Sequence, residues 1–210
     1  YVIASPFQLA VMAARIASGR KLVPHLFQNQ KPVTPALPFM PEHLAVARKG
    51  MELVMQPGGT GARSQLRVEG DFKMAGKTGT AQVRGIKGGF RGQSGAWKHR
   101  DHGLFVFFAP VDNPQYAGAV VIEHGLGGAR AAAPVAKDIM TYMFDPEQAM
   151  TTLIDLERGW GGDVNTRMAK KQAAWMAAND PVAKAAAEQA ESEAALANAA
   201  EANTAAAQEE

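Results

Sequence analysis

Cysteine is absent from the 210 residues, which excludes a disulfide scaffold and any thiolate metal centre while leaving both cytoplasm and periplasm open as compartments. Long apolar runs are missing too, since none approaches the ~20 residues that a membrane-spanning helix needs. The chain opens on Tyr1 with neither a methionine nor a signal peptide. It passes straight into patterned sequence, so an upstream part is expected, carrying any membrane anchor or export signal. Dense basic runs with interleaved aromatics are lacking, and nucleic acid is not an expected partner. The signs of charge are unevenly spread: Ala183 to Glu210 holds one lysine against six glutamates, although the whole chain carries +2. A basic body is therefore followed by an acidic tail. What remains is enough sequence for one medium domain with a core. The 47% hydrophobic fraction overstates that core, because alanine is concentrated towards the C-terminus.

Local pattern divides the chain into elements. In "SPFQLAVMAARIASG" Ser5 is placed to cap a helix, Pro6 takes its first position, Phe7, Leu9, Ala10, Ala13, Ala14, Ile16 and Ala17 give an apolar face, and Gly19 supplies a left-handed stop. "KLVPHLF" reads as a short strand whose internal proline puts it at an edge, and residues 28–41 read as a connecting loop. "PEHLAVARKGMELVM" predicts a second helix over Pro41–Met55. "QPGGTGAR" breaks it with a tight turn into a short helix from about Ala62 to Leu66. "KMAGKTGTAQV" predicts a strand, Arg84 to Arg100 a long exposed loop, and "GLFVFFAPV" with "YAGAVVIEHG" a hairpin about the turn "DNPQ". A last helix is expected from about Ala131 to Phe144, covering one face of the sheet. Residues 145–178 read as a partly helical extension. Residues 179–210 are an Ala/Glu-rich low-complexity tail with no face to bury, either a frayed helix or disorder.

One tripeptide carries chemistry. Gly76-Lys77-Thr78, within "MAGKTGTAQV", fits either a phosphate loop or a strand that lines an acyl-transfer cleft. A phosphate loop needs a glycine, four residues and then Gly-Lys-Ser/Thr. Here Gly70 is five residues away and the required position holds Asp71, whose carboxylate repels phosphate; nucleotide binding is not expected. The second reading needs a lysine, a small hydroxyl residue and a glycine in succession. Lysine supplies positive charge for a substrate carboxylate, the hydroxyl adds a hydrogen bond to it, and glycine leaves room along the strand. The next backbone N–H can face a developing oxyanion, an interaction worth ~3 kcal/mol in related sites. Lys77, Thr78, Gly79 and Thr80 offer each part, though such a tetrapeptide alone is also what an ordinary strand end looks like.

The surroundings add specificity. "YVIASPFQLAVMAARIASGRKLVPHL", "ARKGMELVMQPGGTGA", "KMAGKTGTAQV" and "DHGLFVFFAPVDNPQYAGAVVIEHG", in that order, resemble the C-terminal half of the class B penicillin-binding proteins, above all the elongation-type penicillin-binding protein 2 branch. The likeness runs from about Tyr1 to Phe144. It implies an α/β fold of the α+β kind, part of a transpeptidase domain in which helices flank an antiparallel sheet, followed by the low-complexity tail. It also implies a serine DD-transpeptidase without cofactor or metal, on the periplasmic face of the bacterial inner membrane. Such an enzyme cross-links peptidoglycan stem peptides ending in D-Ala-D-Ala, is acylated by β-lactams, and works with membrane partners of cell elongation. By the same resemblance Lys77 and Thr78 hold the terminal carboxylate, Gly79 makes room for the peptide, and the Thr80 N–H forms half of the oxyanion hole.

That family uses three motifs, Ser-x-x-Lys, Ser-x-Asn and Lys-Ser/Thr-Gly, and the third is the one that matches. Ser18-Gly-Arg-Lys21 has the spacing of the first, but Gly19 ends the helix there, so the serine and lysine cannot share one helical turn as an activated nucleophile requires. None of Ser5, Ser18, Ser64, Ser94 and Ser192 has an asparagine two residues on. The chain alone is therefore expected to be inactive. A competing reading is a non-catalytic interaction module built on a split or degenerate penicillin-binding fold. "HRDH", His99 to His102, packs three potential metal ligands into four residues, too close to converge easily. Glu123 and His124 are adjacent on a strand end and face opposite sides. Both are better read as structural. Arg84, Lys87, Arg91, Lys98 and Arg100 read as a solvated loop.

Overall fold

The computed structural model describes residues 3–27, 29–30, 32–70, 72–83, 96–182, 184–185 and 188–192. Two compact units are present, Tyr1–Met150 and Thr151–Glu210. The first is a mixed α/β unit whose sheet holds three antiparallel strands in the order β1 (Ala75–Ala81), β2 (His102–Ala109), β3 (Tyr116–Ile122). Its helices are α1 (Pro6–Ser18), α2 (Pro41–Val54) and α3 (Ala133–Phe144).

Helix α1 begins and ends where its local sequence dictates. The Ser5 hydroxyl accepts from the Gln8 N–H at 3.2 Å and the Gln8 side chain returns a bond to the Ser5 N–H at 2.8 Å, so two donors orphaned at the helix start are satisfied at once. Pro6 occupies the first turn, and Gly19 closes the helix with φ 70°. Helix α2 runs to Val54 with Met55 as its cap. Its Arg48 reaches across 32 residues to donate to the Ile16 carbonyl at 2.8 Å, fastening α2 to the last turn of α1.

Strand β2 is the middle of the sheet and both of its faces are covered, as alternation along a strand allows. Phe105, Phe107 and Ala109 pack with Met55, Leu66, Met74, Ala132, Ala133, Ala136 and Met140 on the side of α3. Phe108, with Val106 at its border, packs with Ala17, Met51 and Ala75 on the side of α1 and α2. Phe105 and Phe108 are fully buried, and each such ring stabilises the fold by about 1.5–3 kcal/mol through the apolar area it removes from water. The hairpin from β2 to β3 is the one expected, and residues of "DNPQ" join its strands.

Two expectations need correction. "KLVPHLF" forms no strand: residues 21–25 are irregular, and a single bridge joins Arg20 to Ala36. Pro24 has no N–H to offer a ladder, and the Leu22 carbonyl is taken by the Arg15 guanidinium at 2.9 and 3.1 Å instead of by a neighbouring strand. The short helix after the glycine turn is one 3-10 turn, Ala62–Ser64. It stops because Gln65 turns extended and spends its side chain on the backbone of Met74, accepting from the Met74 N–H at 2.8 Å and donating to its carbonyl at 3.1 Å. The last helix is entered through a π-turn, Gly128–Ala132, before α3 begins at Ala133.

The second unit holds most of α4 (Pro146–Gly159) and α5 (Val164–Ala178). Asp163 caps α5 by accepting from the Thr166 N–H at 2.8 Å, and that bond holds its carboxyl below the usual range. Of the tail, residues 193–210 lie outside the described residues, as does most of the expected basic loop, residues 84–95. Among the described residues no helix is long and apolar enough to cross a membrane.

Candidate active-site strand

Lys77, Thr78, Gly79 and Thr80 all lie on β1, opposite Val106, Phe105, Leu104 and Gly103 of β2. Strand β1 is at the end of the described sheet, and its backbone direction can be worked out from its neighbours. The Lys73 carbonyl accepts from Val111, on the side of β2. The next residue, Met74, turns both its N–H and its carbonyl to Gln65 on the opposite edge. Because successive residues of a strand direct their backbone polar groups to alternate sides, Gly76, Thr78 and Thr80 present theirs to the outer edge. Lys77 and Gly79 keep theirs for β2. The Thr78 carbonyl shows the consequence: it is left for a side chain, and the Lys77 Nζ donates to it at 2.7 Å.

Side chains alternate as well, and so the two faces of β1 differ. Lys77 and Gly79 share one face. A Cβ placed on Gly79 would meet nothing nearer than the Leu104 Cβ at 3.5 Å, an ordinary contact, so the fold itself does not demand glycine there. Among the described residues, that face of Gly79 meets only this ordinary contact. The opposite face is filled by the π-turn: a Cβ on Gly128 would lie 2.7 Å from the Gly79 carbonyl oxygen and 2.8 Å from its nitrogen. Glycine at 128 thus lets one backbone rest directly on another. Gly128→Ala should destabilise the chain by about 1–3 kcal/mol, the usual cost of overpacking a filled site, seen as a lowered midpoint in thermal or urea melts. A midpoint equal to that of the parent would show that the seat yields freely.

Thr78 is half-buried, Lys77 and Thr80 exposed. The Thr78 hydroxyl lies 2.8 Å from that of Thr60, in the turn that follows α2. Neither Thr60 nor the Gln65 clamp is apparent from sequence; the signal available for Thr60 was the glycine on each side of it.

The remaining candidates that lie among the described residues make the following contacts. Asp101 is buried and its carboxylate accepts from the Val83 N–H at 3.3 Å, while its carbonyl accepts from Leu126 at 2.9 Å. His102 Nδ1 accepts from the His124 N–H at 2.9 Å, and His124 Nδ1 donates to the Arg100 carbonyl at 2.9 Å. The Trp97 ring packs at a tilt of 59° against His124 with ring centres 4.2 Å apart. These bonds hold the end of the hairpin with His124 at φ 56°. Among the described residues no group of three or more metal-ligating side chains converges. Ser18 is turned back on its own helix, donating to the Ala14 carbonyl at 2.8 Å; Arg84, Lys87 and Arg91 lie outside the described residues.

Comparison with known proteins gives consistent matches. The family model for the penicillin binding protein transpeptidase domain matches residues 2–141. The peptidoglycan D,D-transpeptidase MrdA of Acinetobacter baumannii is 40% identical over 154 residues, 66% of this chain and 22% of the relative. The protein of the same name from Salmonella typhimurium is 30% identical over 171 residues, 74% of this chain and 27% of the relative. Among solved structures, Pseudomonas aeruginosa PBP2 in complex with WCK 5153 superposes with a TM-score of 0.55 at 34% identity, covering 70% of this chain and 31% of that one. Helicobacter pylori PBP2 in complex with MreC gives 0.53 at 28% identity, covering 68% and 25%. The chain spans about a quarter of the length of these curated relatives.

Proposed function

Because this chain belongs to the penicillin-binding protein transpeptidase family and is similar to its PBP2/MrdA members, we propose that it supplies the carboxylate-anchoring strand of a peptidoglycan DD-transpeptidase. In that reaction a serine oxygen adds to the carbonyl carbon of the penultimate D-Ala. The oxyanion collapses, the C–N bond breaks, and terminal D-Ala leaves with a proton on its nitrogen. An acceptor amine then attacks the ester and returns the proton to serine. A β-lactam is attacked in the same way, but its leaving nitrogen stays tethered.

Lys77 and Thr78 bind the terminal carboxylate, Gly79 leaves space for the peptide backbone, and the Thr80 N–H donates to the oxyanion. The observation that carries this reading is the alternation along β1. It turns the Thr80 N–H to the outer edge, next to a Gly79 that carries no side chain. Nothing in the chain acts as nucleophile, so the strand works with a Ser-x-x-Lys and a Ser-x-Asn supplied by another part of the fold. The body to residue 144 is the catalytic contribution; 145–178 is an extension and 179–210 a tail without catalytic content. The Helicobacter pylori relative is solved with MreC, which supports an elongation partner of that kind here, at the periplasmic face of the inner membrane.

Labelled penicillin tests the reading. The polypeptide that joins this chain to a Ser-x-x-Lys segment should be labelled covalently, and the 210-residue chain by itself should not. Covalent label on the isolated chain would refute the assignment of the nucleophile. A genomic sequence with no Ser-x-x-Lys in frame before the Tyr1 codon would favour the interaction module.

A further inference from the structure

We propose that Thr60 is a positioning residue for this site: its hydroxyl fixes that of Thr78 as a donor aimed at a ligand carboxylate. The proposal rests on the anchoring role given to β1 above.

The two hydroxyl oxygens are 2.8 Å apart, and Thr60 is exposed while Thr78 is half-buried, so the pair lies at the surface, beside the outer edge of β1 and on the face opposite the Lys77 side chain. Thr60 is brought there by a turn with no slack. The Gly61 N–H donates to the Val54 carbonyl at 2.9 Å and the Gly61 carbonyl accepts from Ser64 at 2.8 Å. A Cβ on Gly61 would lie 2.5 Å from Met55 Sδ, and one on Gly59 would fall on the carbonyls of Leu53 and Val54. Met55 itself is 1% exposed and part of the core. The residue between those glycines therefore has a fixed position relative to β1.

A hydroxyl carries one proton and two lone pairs. When Thr78 gives its proton to a carboxylate, the Thr60 O–H can donate to the Thr78 oxygen, and each bond polarises the other. The Thr78 rotor is then set before a ligand arrives. Lys77 supplies attraction without direction, because an ammonium is a point charge with three rotatable donors; direction comes from the hydroxyl pair. A hydroxyl pair that merely braced the turn would not distinguish a charged ligand from its ester.

The experiment uses the penicillin-reactive polypeptide containing this chain and compares acylation by a carboxylate-bearing β-lactam and by its methyl ester. Thr60→Val should slow the first by roughly 3- to 10-fold, the scale of one net hydrogen bond, and leave the second unchanged. Thr60→Ser should restore the parent rate. With Thr78→Val already present, Thr60→Val should add no further loss. Equal slowing of both ligands, no slowing at all, or additive losses would overturn the role of Thr60. If Thr60→Val lacks the parent's melting transition, the same comparison is read from Thr60→Ala. A parent that reacts equally fast with acid and ester would overturn the anchoring reading, and this proposal with it.

Discussion

In the penicillin-reactive polypeptide that contains this chain, Thr80→Pro should reduce acylation about 10²- to 10³-fold, the loss typical of one missing oxyanion donor. The substitution suits this strand because the Thr80 N–H is directed to the outer edge, so removing it deletes no bond to β2. Proline is tolerated at sheet edges for that reason. Thr80→Ala keeps the N–H and should react within about twofold of the parent, since an exposed side chain with no backbone role contributes little. The comparison of the two variants separates backbone from side chain. Equal, small losses in both would remove the Thr80 N–H from the reaction.

Lys77→Ala should lower kcat/KM for D-Ala-D-Ala substrates, and the acylation rate by penicillins, by roughly 10- to 150-fold. That range corresponds to about 1.5–3 kcal/mol for a hydrogen bond to a charged group. In this structure the Lys77 Nζ directs one of its three protons to the Thr78 carbonyl one residue away, a local bond that a carboxylate can replace without disturbing the ladder. Lys77→Arg should recover part of the loss, because charge is kept while the compact ammonium is not. The loss should also shrink for a β-lactam ester. An undiminished loss with the ester would assign Lys77 a role other than carboxylate binding.

How much of this could be read in the sequence depended on distance along the chain. Ser5, Pro6 and Gly19 act within one turn of the residues they terminate, and α1 is bounded where they place it. The continuous apolar run in "GLFVFFAPV" marks β2 because a strand covered on both faces needs apolar side chains of both parities. The strand expected at "KLVPHLF" failed for a reason outside that segment: Arg15, on α1, satisfies the Leu22 carbonyl. The candidate site divides the same way. Lys77 to Thr80 stand consecutively and could be found as a motif. Thr60 lies 18 residues before Thr78, and its partner is fixed by a turn whose shape depends on Met55 beneath it. Gly128 is legible as a glycine but not as the seat of Gly79, since only the folded topology sets one on the other.

Gln65 has a further consequence. A strand that ends a sheet is a template for any passing extended chain, and long free edges invite unwanted pairing. At Met74 the Gln65 amide imitates one rung of a neighbouring strand, offering an acceptor and a donor where another backbone would. Beyond that plug, among the described residues, no backbone rung takes the outward-facing groups of Thr78 and Thr80, and the Thr78 carbonyl holds only the side chain of its neighbour Lys77. Among the described residues the edge is thus stoppered at its start, and the stretch left beyond it is too short to template a whole strand.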